Sequence, residues 1–160
     1  MGKNKKLCII LLRLLALGTT LSAAIVMATS KESTTVLNLT FDAKYDNSPT
    51  FVFFVVANGI ASAYTLLVIF LPSNGFIPLI IVALDVIVTL LLTSSISATL
   101  AIAYVGKKGN THAGWLPICD QVPNFCNQVT GGVIAGIAGL VIYMMVLLHS
   151  IHSVLNPLLF

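Results

Sequence analysis

Charge is what this sequence has least of. Only 8% of its 160 residues are Asp, Glu, Lys or Arg, where a soluble domain carries about 25%. With 58% hydrophobic residues, the chain cannot cover a water-facing surface. That excludes a soluble globular domain and points to an integral membrane protein. The net charge of +3 is small and scattered, and no basic stripe interleaves with aromatics, which excludes nucleic acid as a partner. No Ser-His-Asp set, carboxylate pair, glycine-rich phosphate loop or metal cluster appears, so neither catalysis nor a cofactor is expected.

Uninterrupted apolar runs are what the chain does have. Four of them reach the length of about 20 residues that a bilayer requires: residues 7–29, 51–71, 77–105 and 129–149. The third is long for a straight span, so it tilts or extends beyond the membrane. Backbone groups in lipid must be satisfied internally, and the runs do not alternate as barrel strands would, so each is read as a helix. The expected fold is all-α: a four-helix transmembrane bundle forming a single domain over residues 1–160. Polar loops occupy residues 30–50 and 106–128, and a tight turn, "PSNG", residues 72–75. The first run is longer than a signal-peptide core and carries Arg13 inside it, so it is read as an uncleaved span. "MGKNKK" lacks the Ser or Thr that myristoylation needs at position 6.

Lys3, Lys5 and Lys6 flank the first span, which puts both termini in the cytoplasm by the positive-inside rule. Lys107 and Lys108 then fall outside and weaken the bias. The glycosylation sequon at Asn38, "NLT", falls in the first large loop, outside. Cys119 and Cys126 share the second large loop and are expected to form a disulfide there, the alternative being two free thiols. Cys8 stands alone at the cytoplasmic edge. His112 is the sole additional soft ligand nearby, too little for a zinc site.

The stretch "IIVALDVIVTLLLTSS" places Asp85 inside the third span, where a lone carboxylate is expensive. Arg13 lies six residues past Leu7 and Asp85 eight past Ile77, on helices pointing the same way. At 1.5 Å per residue both sit roughly 10 Å below one membrane edge. The expected arrangement is helices 1 and 3 side by side with Arg13 paired to Asp85. One acid and one base that cancel serve better as a structural clamp than as a proton relay. Asn58 either hydrogen-bonds across the bundle or has a local structural part. In "GGVIAGIAG", Gly132 and Gly136 are spaced as GxxxG, with Gly139 following. Such small residues let helices approach closely, within the bundle or against another subunit, with the balance toward the bundle. His149 and His152 belong to the membrane interface rather than to a metal site.

Arg in span 1, Asp in span 3 and both termini inside form a pattern that resembles the plant Casparian strip membrane domain protein-like family, related to the MARVEL four-helix proteins. The resemblance covers nearly the whole chain. It rests on "AKYDNSPTFVFFVVANGIASAY", "LDVIVTLLLTSSISATLAIAYVGKKGNTHAGW" and "PICDQVPNFCNQVTGGV", which match subfamily 1 members. It implies a plasma-membrane protein without catalytic activity that self-associates, alone or with related four-span proteins. The founding members scaffold cell-wall-modifying enzymes. Their first-loop motif is missing from "SKESTTVLNLTFDAKYDNSPT", so the scaffold role carries over and Casparian strip formation does not. The rival class is a small transporter or channel subunit, for which Asn58, Thr89, Thr93 and Ser94 are too few to line a wet path. A tetraspanin- or claudin-like adhesion protein would need a large disulfide-rich loop, which is missing.

Overall fold

A computed structural model describes residues 2–36, 39–71 and 76–155. The Asn38 sequon and the "PSNG" turn lie outside the described residues. Helices α1 (Gly2–Ala28), α2 (Pro49–Phe70), α3 (Ile77–Lys108) and α4 (Pro123–Leu155) follow one another, with strands β1 (Lys31–Val36) and β2 (Leu39–Lys44) between the first two. Each helix contains a segment long and apolar enough to cross a membrane. Pro49 and Pro78 stand in the first turns of α2 and α3, where the missing N–H costs nothing and the fixed φ favours helix entry.

The helices form a closed ring. α1 packs on α2 and α4, and α3 packs on α2 and α4, so α1 and α3 face each other across a diagonal. The side-by-side placement of helices 1 and 3 is therefore corrected. α2 and α4 intervene because successive antiparallel helices with short connections pack as neighbours. The core has two parts. Ala16, Ala61, Val88, Leu92 and Tyr143 fill the middle. Met27, Phe51, Phe54, Ile96, Phe125 and Val133 are among those closing the hairpin end, where Phe51 and Phe125 meet edge to face at 6.0 Å.

Two polar loops are more structured than composition suggested. The first contains an antiparallel hairpin that pairs Lys31 with Lys44 and Val36 with Leu39. Ser33 sits opposite Asp42. The Ser33 hydroxyl, and then the charge of Lys44, hold the Asp42 carboxyl below the usual range. The second loop is shorter than expected, because α4 begins at Pro123 rather than near residue 129. At its start Gly109, with φ 68°, cannot be replaced. A Cβ there would lie 2.6 Å from the Trp115 carbonyl oxygen, in a backbone conformation that side chains rarely adopt.

Candidate functional site

Asp85 lies on α3 with none of its surface exposed. Its Oδ1 accepts hydrogen bonds from Arg13 Nη1 at 3.2 Å and Tyr64 Oη at 2.7 Å. Its Oδ2 accepts from Arg13 Nη2 at 2.8 Å and Ser150 Oγ at 3.2 Å. Arg13 belongs to α1, Tyr64 to α2 and Ser150 to α4. Three helices thus donate to one carboxylate on the fourth. Arg13 reaches across the diagonal because its guanidinium ends a long side chain and offers two parallel N–H groups that match a carboxylate. The Tyr64 hydroxyl also lies 3.1 Å from the Ile81 carbonyl. Having one proton, it donates to the nearer and charged oxygen.

Deeper toward the hairpin, hydroxyls continue the inward polar seam. Tyr143 on α4 donates to the Ala61 carbonyl of α2 at 2.6 Å and touches the Thr65 hydroxyl. Thr20 of α1 and Ser62 of α2 lie 2.9 Å apart, oxygen to oxygen. Asn58 makes no side-chain bond across the bundle among the described residues. Its Nδ2 donates to the Phe54 carbonyl of its own helix at 2.9 Å, and its buried Oδ1 has no partner among the described residues.

Gly132, Gly136 and Gly139 of α4 face inward. A Cβ on Gly132 would meet Met27 and Ala23 of α1 at ordinary contact distance. One on Gly136 would lie 2.7 Å from Phe54 Cζ of α2, and one on Gly139 would lie 3.1 Å from Thr20 Cγ2 of α1. At Gly136 the approach leaves no room for a side chain unless Phe54 shifts, and at Gly139 the neighbouring threonines would have to give by a few tenths of an ångström. At the hairpin end a disulfide joins Cys119 and Cys126 with a Cα–Cα distance of 5.6 Å. Cys126 lies in the first turn of α4 rather than in a loop, so the bridge ties the preceding segment to a helix. Cys8 is free and exposed. His149 is half-buried and His152 exposed. Among the described residues, no three His, Cys, Asp or Glu side chains gather closely enough to hold a metal ion.

Sequence reasoning missed Tyr64, Ser150 and Glu32. Glu32 of β1 accepts from the Phe125 backbone N–H at 2.8 Å and from Asn124 Nδ2 at 3.0 Å. It caps α4 from the other side of the chain, where a carboxylate satisfies unpaired N–H groups and complements the helix dipole. No local signal announces it. Tyr64 was within reach of depth counting; Ser150 was not, because the expected fourth span stopped at residue 149 while α4 runs on to Leu155. Tyr64 lies six residues before the end of α2, the level already assigned to Arg13 and Asp85.

Comparison with known proteins bears on this arrangement. Residues 2–142 match the model of the Casparian strip membrane protein domain. The chain is 60% identical to CASP-like protein 1C2 of Vitis vinifera over 96% of both chains. It is 57% identical to CASP-like protein 1C1 of the same plant, over 98% of this chain and 99% of the relative. CASP-like protein 1C1 of Arabidopsis thaliana is 50% identical over 98% of this chain and 95% of its own. No solved structure matches.

Proposed function

The chain belongs to the Casparian strip membrane protein domain family, and from that premise we propose that it is a non-catalytic plasma-membrane scaffold. In this reading it self-associates, or associates with related four-span proteins, into laterally stable membrane domains that hold cell-wall-modifying enzymes or other membrane partners. Both termini face the cytoplasm.

One observation carries the reading: the bundle spends its polar groups on itself and leaves its apolar groups outside. Both Asp85 oxygens are occupied by donors from α1, α2 and α4. A carboxylate engaged on every side is a fastener rather than a proton carrier, which counts against a transporter. Within an apolar 18-residue stretch of each span only 28–33% of the residues are buried in the bundle. The remainder, including Leu11, Leu14 and Ile25 of α1 and Leu79, Ile87 and Leu90 of α3, forms a broad lateral surface. Lipid covers such a surface as readily as protein does, so association there depends on shape and packing. Extraction in mild detergent followed by mass determination tests this, beside recovery after photobleaching in a plant membrane. Oligomers and slow recovery are expected. A freely diffusing monomer in both experiments rejects the scaffold.

A further inference from the structure

A cavity of about 530 Å³ opens between the hairpin-side ends of α2, α3 and α4. That size lies in the range of small-molecule sites, about 300–1,000 Å³. Phe51, Ile102 and Val129, from three different spans, contribute apolar lining. Lys44, Lys107 and Lys108 line it too, with Asp120 as the one carboxylate. Lys44 already lies 3.6 Å from Asp42. Lys107 and Lys108 have no ion-pair partner among the described residues. Their place in the last turn of α3 suits the helix dipole, but the dipole does not account for a cavity beside them.

The surroundings give the cavity its depth in the membrane. Tyr104 and Trp115 are exposed, and Leu116 is 80% exposed. A tyrosine, a tryptophan and a bare leucine next to paired lysines make up the composition of a bilayer–water boundary. The cavity therefore has an apolar part at acyl-chain level and a cationic part at headgroup level. A ligand suited to both is an amphiphile with an anionic head.

We propose that this cavity binds the phosphate-bearing headgroup of an anionic phospholipid from the leaflet on the hairpin side. Lys107 and Lys108 meet the phosphate, and Phe51, Ile102 and Val129 cover the first carbons below it. The Cys119–Cys126 bridge, whose two residues also line the cavity, holds the connection before α4 in place as one wall.

The test uses the full-length protein in nanodiscs of phosphatidylcholine doped with phosphatidic acid, followed by detergent release and native mass spectrometry. Phosphatidic acid should be retained several-fold over its share of the bilayer. The exposed-site variant Lys107→Gln/Lys108→Gln should return retention to the level of phosphatidylcholine, and 0.5 M salt should reduce it, since screening weakens an exposed ionic contact. Equal retention of both lipids by the unaltered protein, or preferential retention that survives the double substitution, overturns the assignment. Displacement of the lipid by millimolar inorganic phosphate alone identifies a free-anion site and overturns the lipid as its occupant.

Discussion

Asp85 is affordable in a bilayer because its charge is met on both oxygens before lipid can meet it. Arg13 supplies the opposite charge and a parallel pair of N–H groups. Tyr64 and Ser150 fill the remaining acceptor positions. Removing one ionic partner strands the other in a low-dielectric site, which costs about 3–5 kcal/mol, whereas removing both costs far less. Asp85→Asn and Arg13→Gln should each lower the Tm in detergent strongly, and the double variant should recover much of the loss. Strictly additive losses would show that the two side chains do not interact. Tyr64→Phe removes one hydrogen bond to a charged group and should cost about 1.5–3 kcal/mol. Ser150→Ala, whose bond is longer, should cost less. A relay predicts a different outcome: folded single variants that have lost a pH-dependent flux.

At the scale of elements, α4 is held by glycines along one side and by covalent and capping contacts at its start. Phe54 is fully buried and cannot swing aside for a Cβ on Gly136. Gly136→Ala should therefore cost about 1–3 kcal/mol through overpacking. Phe54→Leu in the same chain should restore part of that loss by making room. Gly131 has nothing within 4 Å of its would-be Cβ, so Gly131→Ala should be neutral or stabilise by up to about 1 kcal/mol through helix propensity. Thermal unfolding of the set separates the two sites. If oligomers persist in every folded variant, the glycine face is not the intersubunit contact. The disulfide closes a short loop, and joining it contributes about 2 kcal/mol by the chain-entropy relation. Non-reducing peptide mapping should recover Cys119 and Cys126 as one linked peptide, and full alkylation of both thiols without reductant would refute the bridge.

Over the whole molecule, the polar knot near one end and the hairpin with its disulfide at the other make the two membrane faces unlike. α1 and α4 run in opposite directions, so the two termini emerge on the same face. In the proposed orientation that face is the cytoplasmic one, as the lysines before the first span favour. A tag at either terminus should then be reachable only after permeabilisation, and the Asn38 sequon should be open to glycosylation in a eukaryotic host. Antibody labelling of an N-terminal tag on intact cells would reverse the orientation. Lys107 and Lys108, which lie on the hairpin face, then become basic residues at the outer leaflet boundary.

Four apolar helices, their order and the meeting of Arg13 with Asp85 were legible in the chain because hydrophobic length and the cost of a buried charge act locally and additively along it. Glycine spacing likewise marked the side of α4 that packs closely, though not what it packs on. The tertiary structure decided what depends on long-range placement. It set α1 diagonal to α3, so that an arginine rather than backbone proximity joins them. It brought Tyr64 and Ser150 to the same carboxylate and turned Asn58 onto its own helix. It also carried Glu32 from the first loop to the start of α4, 93 residues away in sequence. A span is specified by its own residues against lipid, while a hydrogen-bond partner on another helix is specified only by how all four helices pack at once.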